Sequence, residues 1–167
     1  MENKKDTLVR RVRLLLEMFV IGLILSGLTA IPLQWEIDTL ASCMGIAPEA
    51  SPQSLTGLDR WIAFVRLGLR ETDQRYPFLA YGTDWLAFAH LMIAVAFLGP
   101  LIDPVRNAWV ITFGLIACAG VIPTAMIFGP IRGIPLNWRL IDCASGVVGA
   151  VPLGLARYYT AKLAKTD

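Results

Sequence analysis

The sequence predicts an all-α integral membrane protein, a four-helix bundle with an amphipathic extramembrane helix between its first two spans. Three observations carry this expectation. Hydrophobic residues make up 56% of the 167-residue chain and charged residues only 17%, against about 25% charged in an ordinary soluble domain. The mean hydropathy is +0.59, and a chain with this much apolar surface does not stay disordered. The apolar residues gather into four runs of roughly 20 residues, the length that a ~30 Å hydrocarbon layer asks of a helix. The length fits a single four-span domain over residues 1–167.

The first run, 14–33, follows Lys4, Lys5, Arg10, Arg11 and Arg13. It exceeds the apolar core of a cleavable signal, and Leu28-Thr29-Ala30 is a poor cleavage site, so it reads as a retained signal anchor. The outer segment 34–84 comes next. Pro48, Ser51 and Pro52 mark a loop, and Thr56 with Asp59 resembles a capping box that opens a helix. Leu58, Ile62, Val65 and Leu69 then recur at helical spacing, with Arg60, Arg66, Arg70 and Asp73 on other faces. Such a helix lies along the membrane surface or caps the mouth of the bundle. The remaining spans are 85–102, 108–128 and 140–158, interrupted by Pro100, Pro123 and Pro152, which lipid-embedded helices tolerate.

Charge sets the expected orientation. The two termini and the 103–107 loop carry nine Lys and Arg, the opposite face six. Both termini are therefore expected in the cytoplasm of a cell with the chain in its inner membrane, as in a bacterium. The tryptophans agree. Trp35, Trp85 and Trp138 fall at the outer boundary, Trp109 at the inner one and Trp61 in the connecting segment, the pattern of an interfacial aromatic belt. The net charge of +2 draws no basic stripe interleaved with aromatics, so nucleic acid is not an expected partner.

Helix contacts in lipid rely on small residues. Candidate stripes are Gly22, Ser26 and Ala30, then Ala87 and Ala94 around His90, then Gly114 and Cys118, then Gly146, Ala150 and Gly154. The same stripes suit a homo-oligomer or a larger membrane complex. One hexapeptide recurs: Ile31-Pro32-Leu33-Gln34-Trp35-Glu36 and Ile134-Pro135-Leu136-Asn137-Trp138-Arg139, followed by Asp38 and Asp142. It reads as a repeated interfacial turn, either twice independently or with the two turns meeting and Glu36 pairing with Arg139.

Ionisable groups inside a span cost about 2.5–3.5 kcal/mol at its centre on insertion scales, so the few present are functional candidates. Glu17 can snorkel toward Arg13 or Arg10. Asp103 and Arg106 read as a charge pair in a turn. His90 is the sole histidine and, with no Cys-x-x-Cys pair in the chain, builds neither a zinc nor a haem site. Neither a metal nor a cofactor is expected. Cys43 and Cys143 share the outer side, which leaves a disulfide there open. The candidate ligand-binding cluster is Glu36, Asp38, Asp84, His90, Arg139 and Asp142, enclosed by Trp35 and Trp138.

Three functions fit. The first is binding or handling of a small lipophilic ligand, or of membrane lipid itself, at that cluster. The second is an accessory or assembly subunit of a membrane complex with no site of its own. The third is a membrane-embedded enzyme using His90 and Asp142 as acid and base. Four short spans with one mid-depth ionisable group do not outline a pore. In its layout, and in the turn from Pro32 to Asp38, the chain is similar to the four-span EXPERA group of sterol isomerases and sigma-2-type receptors. That group also has a long lumenal segment after the first span and acidic residues near the membrane.

Overall fold

The computed structural model describes residues 2–165, with side chains from Lys5 onward. The side chain of Lys4, one of the cations counted toward the cytoplasmic side, lies outside the described residues. Seven α-helices follow one another: α1 Glu2–Thr29, α2 Leu33–Cys43, α3 Gly57–Arg75, α4 Tyr81–Ala96, α5 Leu98–Ile102, α6 Ala108–Ile131 and α7 Leu136–Leu163, with short 3-10 turns at Pro52–Ser54 and Pro77–Ala80. No strand occurs among the described residues. Four helical stretches are long and apolar enough to cross a membrane: Lys5–Thr29, Pro77–Ile102, Ala108–Ile131 and Leu136–Leu163. The expected all-helical class with four spans is what the chain forms. The ends differ, because a helix does not stop where hydropathy does: α1 begins well before Leu14, and it closes at Thr29, ahead of Pro32.

The chain divides into two compact units, 1–24 with 92–167, and 25–91. In the first, all four spans meet in one core. Val12 and Leu16 of α1, Phe97, Ile111 and Cys118 of α6, and Leu153 and Ala156 of α7 are buried together, and Phe19 packs against Phe97 with ring centroids 4.9 Å apart. α6 and α7 run antiparallel at close range. A Cβ on Gly146 would lie 2.6 Å from the Cys118 carbonyl oxygen, and one on Gly114 2.7 Å from Phe97 and 2.8 Å from Leu153. These two stripes pack as the sequence suggests, whereas Gly154 faces open space and Gly149, against Cys118 and Phe19, does its work. On α1, Leu14, Met18, Ile21, Leu25 and Leu28 form an exposed stripe at three- and four-residue spacing, the face a span offers to lipid. Gly22 and Ser26 lie on this exposed side and not in the packed seam.

Pro100 leaves the Ala96 carbonyl without its helical donor. The helix breaks at Phe97, whose N–H is shared between the carbonyls of Ile93 and Ala94, both at 3.2 Å, and α5 completes the span. Arg13 then reaches from α1 to the end of α5, where its Nε and Nη2 donate to the carbonyls of Leu101 and Ile102 at 3.0 and 3.3 Å. It is committed to those orphan carbonyls and not to Glu17, which is exposed. In the 103–107 loop the Asp103 carboxylate accepts the backbone N–H of Arg106 at 3.0 Å, and Asn107 donates to the Gly99 and Asp103 carbonyls. The turn rests on these bonds in place of an Asp103–Arg106 ion pair.

In the second unit α2 and α3 form an antiparallel hairpin. Ile37 and Ala41 of α2 and Ile62 and Ala63 of α3 are buried together with Ile46. Of the expected stripe, Ile62 is buried while Leu58, Val65 and Leu69 are partly buried, and α3 packs on α2, a helix that hydropathy does not announce. Arg66, expected on a polar face, is 5% exposed. Its Nη2 donates to the carbonyls of Ala47 and Pro48 at 2.6 and 3.0 Å, which fastens the loop to α3. Thr56 occupies the N-cap of α3 without a side-chain capping bond, so the capping box does not form. The repeated hexapeptide is also more uniform than expected: each copy is the entry to a helix, α2 after Pro32 and α7 after Pro135. All three cysteines are free thiols.

Candidate functional site

The residues expected in the polar cluster fall in both compact units, five in 25–91 and three in the other. Within 25–91, Asp38 is engaged on both oxygens. Gln34 Nε2 donates to Oδ2 at 3.1 Å, and Arg70 lies 3.5 Å from Oδ1. This set ties α2 to α3. Glu36 sits half-buried in the first turn of α2, where the helix dipole favours a carboxylate. Trp35 is exposed, and its carbonyl accepts the Thr39 hydroxyl. Asp84 is exposed in the first turn of α4.

His90 is half-buried one turn after Ala87, and its Nδ1 lies 2.8 Å from the Leu86 carbonyl oxygen. A carbonyl oxygen can only accept, so in this contact Nδ1 is the donor. The backbone of α1 comes close here, since a Cβ on Gly27 would lie 3.0 Å from the His90 Cβ and 3.1 Å from the Ala87 carbonyl oxygen. The imidazole is therefore held by local packing and by its own helix.

In the other unit, Trp138, Arg139 and Asp142 occupy the first two turns of α7. The aliphatic stem of Arg139 lies across Gly129 of α6, filling the space a Cβ would take, while its Nε is buried with no hydrogen-bond partner. Asp142 faces an open-sided groove of about 550 Å³ on α6 and α7. Ala117, Gly120, Val121, Ala125 and Phe128 make its apolar floor and walls, and Arg132 joins Asp142 in the lining. From Ala117 to Arg132 the groove follows α6 for roughly 22 Å at 1.5 Å per residue. Thr124, also in the lining, donates its hydroxyl to the Gly120 carbonyl at 2.8 Å and so presents little free donor capacity.

No protein family, curated protein or solved structure matches this chain.

The groove holds what the sequence reading did not assemble. In the sequence Arg132 is one of several charges between apolar runs, and Gly120 one of several small residues within them. The signal for it in the sequence is thin: Ala117, Gly120 and Ala125 are small, but so are Gly114, Cys118, Ala119 and Gly129 on other positions of the same helix. The arrangement can accommodate an elongated apolar chain with a polar head near a cation and a carboxylate. Its volume lies within the roughly 300–1,000 Å³ of small-molecule sites. Among the described residues no group of three His, Cys, Asp or Glu is placed to hold a metal ion.

Proposed function

We propose that this protein binds a membrane amphiphile along the α6–α7 groove, with the head group near Arg132 and Asp142 and the apolar chain over Gly120 and Ala117. The observation that carries the reading is the groove itself: an apolar trough in two candidate spans, with a cation and an acid in its lining. Ionisable groups in a span are costly unless they serve a partner or a pathway. Arg139 contributes from behind the lining, its aliphatic stem packed on Gly129. In this reading the chain sits in the inner membrane of a bacterial cell with both termini in the cytoplasm, as the surplus of basic residues at the termini and the 103–107 loop favours. The site is then in the outer leaflet. Trp35, Glu36, Asp38, Asp84, His90 and Trp138 are proposed to frame that leaflet's polar layer.

Gly120→Leu tests the proposal. A Cβ on Gly120 meets nothing within 4 Å, so the leucine side chain starts in open space in the trough that Gly120 lines. Native mass spectrometry of the protein released from membranes should find amphiphile on the parent chain, and little on Gly120→Leu at an unchanged Tm. Equal lipid loading of the two would overturn the reading.

A further inference from the structure

We infer that the α2–α3 hairpin is a membrane-interface module that lies on the lipid surface through a second apolar face of α3, not the face packed on α2. One side of α3 is spent within the hairpin: Ile62 is 0% and Ala63 2% exposed. On another side Phe64 and Leu67, one turn apart, remain 58% and 43% exposed. Trp61 stacks on Phe64 at 5.9 Å and extends this face, and the exposed Arg60 stands beside it, placed to meet lipid phosphate. Such a face on a soluble domain would mark a protein-binding patch.

Here the chain supplies the occupant. α3 ends at Arg75, and the candidate span begins at Pro77. Between them and onward run Tyr76, Phe78, Leu79, Tyr81 and Trp85, all about half or more exposed. Tyr76 meets Phe78, and Tyr81 meets Trp85, edge to face. Exposed aromatics of this kind settle at the head-group layer. At its other end the hairpin starts at Leu33, four residues after the span that closes at Thr29. Both ends of the module are thus fixed at a lipid boundary by chain connectivity, and the aromatic run that opens the next candidate span follows directly on α3. An amphipathic helix held there buries its apolar side at the boundary between head groups and acyl chains.

The test uses the full chain in vesicles of phosphatidylcholine and phosphatidylglycerol, with Cys43→Ser and Cys143→Ser removing the accessible thiols. An environment-sensitive fluorophore on Phe64→Cys or Leu67→Cys is expected to emit to the blue and to lose most of its emission to nitroxide-bearing lipids. The same fluorophore on Asp73→Cys, on the opposite side of α3, is expected to respond to aqueous iodide instead. Labels at 64 and 67 that answer to iodide and not to lipid nitroxide would overturn the inference. Labels there that answer to neither would also overturn it, since they would be covered by protein. The Gly120→Leu substitution leaves this readout untouched, so the inference stands or falls separately from the amphiphile groove.

Discussion

Gly146 and Gly154 lie two turns apart on α7 and carry opposite expectations. At Gly146 a Cβ would sit 2.6 Å from a backbone carbonyl oxygen of α6 and 3.1 Å from the Val121 Cβ. Neither atom is the free end of a flexible side chain, so α6 and α7 would have to separate. Gly146→Ala is expected to cost about 1–3 kcal/mol, the usual range for overpacking. At Gly154 the Cβ meets nothing within 4 Å, and alanine in a helix interior is about 0.8–1 kcal/mol better than glycine in water. Gly154→Ala is expected to be neutral or stabilising. Unfolding of the two variants in a common detergent checks both signs, and a similar loss in each would sink the argument. Spacing alone had placed both glycines on one seam. Period 3.6 gives the face of a helix, but two residues eight apart drift around it, and only the partner helix decides which of them is covered. The polar candidates failed to be legible for a related reason: Asp38 had an attractive position, yet its partners Gln34 and Arg70 lie four residues away and on another helix.

At the scale of elements, the spans were legible because the bilayer imposes a length, and hydropathy reports it directly. α2 was not, since Pro32 reads equally as the end of one helix and the start of the next. The 33–43 segment buries only Ile37 and Ala41, too thin an apolar stripe to announce itself. The loop after α2 is held by a residue that pattern reading assigns to solvent. Arg66 is buried because three consecutive carbonyls, those of Ile46, Ala47 and Pro48, turn toward it and accept its guanidinium protons. Charge-assisted hydrogen bonds of this kind contribute about 1.5–3 kcal/mol. Arg66→Met, which keeps the apolar stem and removes the donors, is expected to release the 44–52 loop. Hydrogen exchange should show faster exchange across that loop while α6 and α7 stay protected. Arg66→Lys is expected to restore the loop only in part, because an ammonium lacks the planar fork that reaches several carbonyls at once. Unchanged loop exchange in Arg66→Met would remove the clamp from the account.

At the scale of the whole molecule, four candidate spans make an even number, so a chain that crosses with all of them keeps both termini on one side of the membrane. The side proposed above, the cytoplasmic one, rests on the basic residues near the span ends. α1 is helical from Glu2, so Arg10 and Arg11 are carried on a continuous rod directly ahead of its apolar stretch. Arg11 lies 5.7 Å over the ring of Tyr159, and Lys162 lies 4.3 Å over that of Tyr158. The first and last spans therefore bring their cations to the same end of one compact unit. This geometry agrees with the charge count and gives it a physical location. In a chain carrying Cys43→Ser and Cys143→Ser, a membrane-impermeant thiol reagent applied to intact cells is expected to label Ser51→Cys, in the loop between α2 and α3. It should reach Thr7→Cys or Lys165→Cys only after the membrane is opened. Removing two of the charges tests the cause: Arg10→Ala with Arg11→Ala should let a measurable share of chains insert the other way, with Thr7→Cys becoming reachable from outside. Arg13 is left in place because it holds the end of α5, and its loss would mix orientation with folding. Labelling of Thr7→Cys from outside in the chain that keeps Arg10 and Arg11 would reverse the assignment of faces, and the Arg132–Asp142 end of the groove would then belong to the inner leaflet.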